Sequence, residues 1–214
     1  MIEDAKQRAF ERHLEVIATL LLAMAAVATA WASYQSARWH GEQARAQSAS
    51  IAARLESTRS AAVANRQGQV DVALFTQWVD AYARNESELA SFYDKRFRAE
   101  FRPAFEAWVA TKPRKNPRAP LSPFAMPQYK LAATANADRL EVRAALFSKR
   151  AGDFIERADR YALAVVLFAS SLFFAGISTR LHSSTTRMIV VGLGYALFLG
   201  TVTWIATFPV SVSV

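Results

Sequence analysis

The chain has 214 residues, no cysteine, 52% hydrophobic residues and a formal net charge of +8. The lack of cysteine excludes disulfides, thiolate catalysis and cysteine-held metal sites, and it suits either side of a membrane. The positive charge comes without a nucleic-acid recognition motif, so no nucleic-acid partner is expected; anionic membrane lipid headgroups are the expected counterpart.

Residues 1–13 read as a cytoplasmic tail carrying Lys6, Arg8 and Arg12. The apolar run over residues 16–34 (VIATLLLAMAAVATAWASY) predicts a first transmembrane helix over 14–37. A cleaved signal peptide competes, with Ala28-Thr29-Ala30 resembling its cleavage site. Glu3, Asp4, Glu11 and Glu15 are out of place in such a leader, and the run continues through Trp31 and Tyr34, so an uncleaved span is preferred.

Residues 38–160 form the one large extramembrane segment, long enough for its own core. Between residues 38 and 102 there is no proline, and alanine, arginine, glutamine and glutamate dominate, which predicts helix throughout. The first helix should continue out of the membrane. Val16, Leu20, Ala23, Val27, Ala30, Tyr34 and Ala37 recur at 4-3 spacing, and Gly41, Ala44, Ser48, Ile51, Leu55, Thr58 and Ala62 continue it. That is the spacing of a coiled-coil seam, here mostly of small residues. A second piece is expected over about 72–101, with an aromatic stripe of Phe75, Trp78, Tyr82, Leu89, Phe92 and Phe97. Asn85-Glu86-Ser87-Glu88 resembles a capping box that would break or bend it. Arg102-Pro103 marks another break, followed by a short helix, FEAWVA.

Residues 111–129 (TKPRKNPRAPLSPFAMPQY) hold five prolines and form an irregular connector. Its first half is basic, with Arg114, Lys115 and Arg118 beside Lys112; Leu121, Phe124 and Met126 make the second half apolar. It reads as a cover over helix ends. Its functional alternative is a docking loop for a protein partner or a lipid headgroup, using Arg114, Lys115, Arg118, Phe124 and Met126.

A third helix then carries Leu140, Ala144, Phe147, Ala151, Phe154, Ala158 and Tyr161 at 4-3 spacing, continued by Val165, Phe168, Leu172 and Ala175. The alternation of large and small residues complements a small-residue seam, so this helix is expected to pack on the first, with Phe147 and Phe154 buried between them. It enters the second span, residues 161–179, which has no charge. A basic loop over 180–187, a third span over 188–209 and a tail over 210–214 complete the chain. Gly192, Ala196 and Gly200 give the third span a small-residue face suited to close helix contact, within the chain or with another copy.

Topology follows from short basic segments. The tail with Lys6, Arg8 and Arg12 and the loop with Arg180 and Arg187 fall on one side of three spans, so both are expected in the cytoplasm. The 38–160 segment and the C-terminus would then face the periplasm from a bacterial inner membrane. Lys149, Arg150, Arg157 and Arg160 flank the second span on the opposite side and weaken that asymmetry.

No chemical motif accompanies this layout. His13, His40 and His182 have no partners at metal-ligand helical spacing and read as interfacial side chains. Phosphate loops, nucleophile elbows and metalloprotease motifs are absent. No catalytic residue, metal or cofactor is expected, and the chain reads as a non-enzyme. Thr19, Thr29, Ser170, Ser171, Thr201 and Thr203 are the hydroxyls available to line a pore or bond between helices.

The stretch RADRYALAVVLFASSLFFAGIS over 157–178, with PFAMPQY over 123–129, resembles a group of bacterial three-span membrane proteins of uncharacterised function. The resemblance implies an N-terminal span, a helical extramembrane domain and a C-terminal pair of spans. It brings no activity. The expected fold is all-α, with three transmembrane helices and a helical hairpin, coiled-coil-like domain continuous with spans one and two. The expected function is non-catalytic self-assembly, as a homo-oligomer, or scaffolding of a protein partner. The alternative is a small homo-oligomeric channel with a hydroxyl-lined pore.

Overall fold

The structure is a computed structural model that describes the backbone of residues 2–181 and 183–210, and side chains from residue 12 onward. His182 and the last four tail residues lie outside the described residues. The described chain is all-α. Its helices are α1 (Ile2–Ala83), α2 (Ser87–Asp94), α3 (Arg102–Ala110), α4 (Ala132–Ser178) and α5 (Ser184–Ile205), with a single 3-10 turn at Pro123–Ala125. Three of them, α1, α4 and α5, are long and apolar enough to cross a membrane. α5 begins at Ser184, inside the stretch read from sequence as loop.

The first expected piece and the start of the second are one helix; the second breaks after Ala83, near the expected point, and resumes as the short α2. α1 runs unbroken to Ala83, since nothing before Arg84 removes a backbone donor or forces a left-handed residue. The expected capping box does not form: Glu86 is the N-cap of α2 and makes no side-chain cap bond. Asn85 instead ends α1. It takes a left-handed φ of 61°. Its N–H donates to Tyr82 O at 3.2 Å, and Glu86 N–H donates to Ala81 O at 3.0 Å. That pair of bonds is a Schellman C-cap, which asparagine tolerates better than most residues.

The chain divides into two compact units: Met1–Gln47 with Ser148–Val214, and Ser48–Phe147. In the first, α1 packs against α4 through Leu21, Ala25 and Ala32 on one side and Ala158, Ala164 and Phe168 on the other. Ser36 Oγ donates to Ala158 O at 3.1 Å. α5 joins through Gly194, where an added Cβ would lie 3.0 Å from Leu21 Cδ2 and 3.4 Å from Phe174 Cβ. Ser171 Oγ donates to Gly194 O at 2.5 Å, and Phe168 meets Phe198 at 5.6 Å between ring centroids.

The seam expected on α1 lies on the wrong face. Val16, Leu20, Val27, Tyr34, Ile51 and Leu55 are all exposed, Val27 at 71%. The buried residues Leu14, Ala18, Leu21 and Ala25 each precede the expected ones by two positions, about 200° around the helix. The bulkiest stripe is not the contact stripe, because close helix approach favours a face where small residues such as Ala18, Ala25 and Ala32 stand between the larger ones. The α4 seam is as expected: Ala144, Ala151, Ala158, Tyr161, Phe168 and Ala175 are buried. Phe147 and Phe154 are half-buried, short of the full burial expected for them.

In the second unit, Ser50 and Ser57 of α1 hold α4 by hydroxyl bonds to Ala144 O and Ala137 O. Beyond them lies an aromatic cluster. Phe97, Phe101 and Phe105 form its buried centre, with Phe75, Trp78, Phe124 and Tyr129 packed around it. Five of these aromatics come from the α2–α3 stretch and the connector, so the cluster ties α1 to the short segments that follow it.

Candidate functional site: an aromatic cleft with a basic rim

The site lies within the second unit, in a cleft of about 670 Å³ between the end of α1, the end of α3 and the start of the connector. The last turns of α1 bring Trp78, Val79, Tyr82 and Ala83 to its floor. Trp78 and Tyr82 are one helical turn apart, and their rings stack at 4.9 Å with planes 9° apart. Phe105 meets Trp78 edge-on at 4.8 Å and holds it from behind.

α3 contributes Trp108 and Val109. Trp108 stands edge-on to Phe75 at 5.4 Å, and its Nε1 donates to Pro120 O at 2.7 Å. Its ring is therefore fixed at both ends. Val109 is 42% exposed, and Val79 39%.

The rim follows from how α3 stops. Lys112 takes a left-handed φ of 52° one residue beyond the C-cap Thr111, and Pro113 cannot continue a helix. Lys112 O then accepts from Lys115 N–H at 2.8 Å and Asn116 N–H at 3.0 Å. Asn116 Nδ2 donates to Thr111 O at 3.2 Å, and its Oδ1 accepts from Arg118 N–H at 3.0 Å. This turn sets Lys112, Arg114 and Lys115 along the cleft. Arg114 lies 5.5 Å over the Tyr82 ring. Among the described residues, none of these three cations makes an ion pair, and no carboxylate lines the cleft.

The connector residues singled out from sequence divide. Arg114 and Lys115 reach the cleft; Arg118 is exposed and does not line it. Phe124 belongs to the aromatic cluster, 5.1 Å from Phe101 and 5.2 Å from Tyr129, and Met126 is half-buried. The apolar character of Phe124 serves the core. Trp108 was missed as a site residue, because FEAWVA shows only a short helix and the cleft exists only once α3 lies against α1.

Behind the cluster is a second polar feature with no sequence signature. Asp71 of α1 is fully buried. Its Oδ2 accepts from Arg98 Nη1 at 2.8 Å and from the Tyr129 hydroxyl at 3.1 Å. Arg98 also pairs with Glu100, whose Oε1 accepts from Ala132 N–H at 3.0 Å. That carboxylate meets the positive end of α4. Asp71 Oδ1 is buried without a hydrogen-bond partner. Burial accordingly outweighs the Arg98 guanidinium and holds the Asp71 carboxyl above its ordinary range. Burial, then the adjacent Asp71 charge, pushes the Tyr129 phenol up to about 12. These groups pin the connector and the start of α4 to α1.

The remaining sequence candidates are placed as follows. Gly192, Ala196 and Gly200 are exposed, and a Cβ added at Gly192 or Gly200 would meet nothing within 4 Å. Gly194 is the glycine used for contact within the chain. Phe154 lies 5.6 Å from the Trp39 ring, and Arg157 lies 4.8 Å over that indole. Phe147 carries Arg143 5.6 Å above its ring. His13 and His40 are exposed. Among the described residues no group of three or more histidine, aspartate or glutamate side chains is placed to hold a metal ion.

No known protein family, curated protein or solved structure matches the chain.

Proposed function

We propose that the chain is a non-catalytic, membrane-anchored scaffold whose 38–160 segment captures a protein partner in the aromatic cleft. The observation that carries this reading is the cleft itself: an open apolar floor of about 670 Å³ beside three cations without carboxylate partners. A floor of fixed rings with a charged rim is the arrangement of a recognition surface, where anchors bury and rim charges steer. The helices suited to crossing a membrane anchor it. In this reading the membrane is the bacterial inner membrane, the N-terminus is cytoplasmic and the cleft faces the periplasm, on the strength of Lys6, Arg8, Arg12, Arg180 and Arg187.

Photo-crosslinking in living cells tests it. With p-benzoylphenylalanine at position 109, a discrete protein adduct should form and should disappear when Arg114→Glu and Lys115→Glu are added. No adduct, or one indifferent to those changes, would sink the reading.

Self-association is a second reading with its own support. The exposed α1 stripe of Val27, Tyr34, Ile51 and Leu55 and the exposed Gly192–Ala196–Gly200 face both have helix-pairing spacing.

A further inference from the structure

We infer that the cleft accepts an acidic peptide segment of its partner, anchored by a bulky apolar or aromatic side chain. This rests on the scaffold reading above and specifies the chemistry of the captured segment.

The charge argument comes first. Lys112, Arg114 and Lys115 stand within one turn, and Arg118 follows nearby. The turn bonded through Lys112 O and Asn116 holds them in place before any ligand arrives. Like charges placed so closely repel. An anion entering the cleft relieves that repulsion, and carboxylates flanking an anchor would reach the rim.

The floor decides what lies between the carboxylates. Trp78 and Tyr82 present stacked rings, and Val79 and Val109 add half-exposed aliphatic surface. An aromatic or branched side chain laid on these groups removes apolar area on both partners from water. The volume lies within the range of sites that bury a compact ligand or a peptide anchor.

The same floor argues against a nucleotide, which would also combine a planar group with negative charge. Trp108 Nε1 is committed to Pro120 O. Val79, Ala83, Val109 and Pro113 carry no side-chain donor or acceptor. A base would find faces to stack on but few groups to read its edge, whereas an apolar anchor needs no such groups.

The test is an unbiased peptide selection. Full-length protein in phosphatidylcholine nanodiscs is panned against a phage-displayed random library, and the enriched peptides are titrated by fluorescence anisotropy. Enriched peptides should share an apolar or aromatic residue flanked by aspartate or glutamate. Their affinity should fall by about tenfold or more with Arg114→Glu plus Lys115→Glu, and also with Val109→Asp, which puts a like charge on the exposed floor. Unchanged melting of both variants shows that the fold is intact. ATP and phosphatidylglycerol vesicles are run as parallel ligands. Peptides lacking acidic residues, peptides that bind both variants as well as the parent, or no cleft-dependent peptide would each overturn the inference. So would cleft-dependent binding of ATP or of the vesicles without peptide binding. A position-109 adduct in cells combined with a non-acidic selection removes this inference and leaves the scaffold reading standing. Absence of both removes the two together.

Discussion

Ser50 Oγ donates to Ala144 O at 2.9 Å, and one heptad away Ser57 Oγ donates to Ala137 O at the same distance. A serine hydroxyl reaches a neighbouring helix's carbonyl only when the two backbones lie close. Alanine at 144 and 137 leaves that space, and both are buried. Ser36 and Ala158 occupy the same heptad positions further along their helices and make the same bond.

These contacts predict a graded response. Ser50→Ala should cost about 1 kcal/mol, the net value of one hydrogen bond. Ala144→Leu should cost more, about 1–3 kcal/mol, because the side chain has nowhere to go. Thermal unfolding in mild detergent measures both. Equal tolerance of alanine at 50 and leucine at 144 would mean the helices are not in close contact there.

Phe154 and Phe147 occupy equivalent seam positions but unlike surroundings. Phe154 is packed against the buried cluster and meets Trp39, and Arg157 lies over both rings. Phe154→Ala should cost about 2–3 kcal/mol, below a fully buried phenylalanine. Phe147→Ala should cost about 1–2 kcal/mol, since Phe147 is half-buried and carries Arg143 over its ring. The order of the two melting temperatures decides the point.

Tyr129 offers a titration. Its phenol is pushed up to about 12 from 10.0 by burial and by the Asp71 carboxylate. A raised pKa means the folded chain holds its proton more tightly than the unfolded chain. The associated stability is complete below pH 10 and is lost as pH rises through about 12. A difference titration at the phenolate absorbance, wild type minus Tyr129→Phe, should therefore show a phenol ionising near 12. Ionisation at 10 would place the hydroxyl away from Asp71. Asp71→Asn removes the charge and should lower the transition.

The three glycines of α5 should separate by role. Gly194 lies against Leu21 and Phe174, so Gly194→Leu should lower the melting temperature of the single chain. Gly192→Leu with Gly200→Leu meets open space and should leave the protomer folded. If the exposed face joins two copies, that double variant loses the oligomer in nanodiscs while keeping its helicity. Unchanged hydrodynamic size in the double variant would remove this face from self-association.

Much of the architecture is legible in the residues taken singly. Uncharged runs of membrane-spanning length mark the helices able to cross a bilayer, and the lack of proline before residue 103 allows a long first helix. The α4 seam can be read because it alternates phenylalanine and alanine every three or four residues, a pattern with one buried face. The basic character of residues 112–118 is equally plain. The α1 seam could not be found in the same way. Its contact face is mostly alanine and serine, with a few bulky residues such as Leu21 and Trp39, while a stripe of larger apolar residues is exposed, so hydrophobicity alone ranks the two faces in the wrong order. Nor could Asn85 be assigned, since the same residue suits an N-cap or a left-handed C-cap and only backbone geometry separates the two. Asp71, Arg98 and Tyr129 lie far apart along the chain and look like ordinary surface residues until folding encloses them. The cleft has the same origin. Trp78, Trp108 and Arg114 acquire a common surface only when α3 closes against α1. Local periodicity is a property of the sequence, but which distant side chains share a buried or open space is decided by tertiary contact.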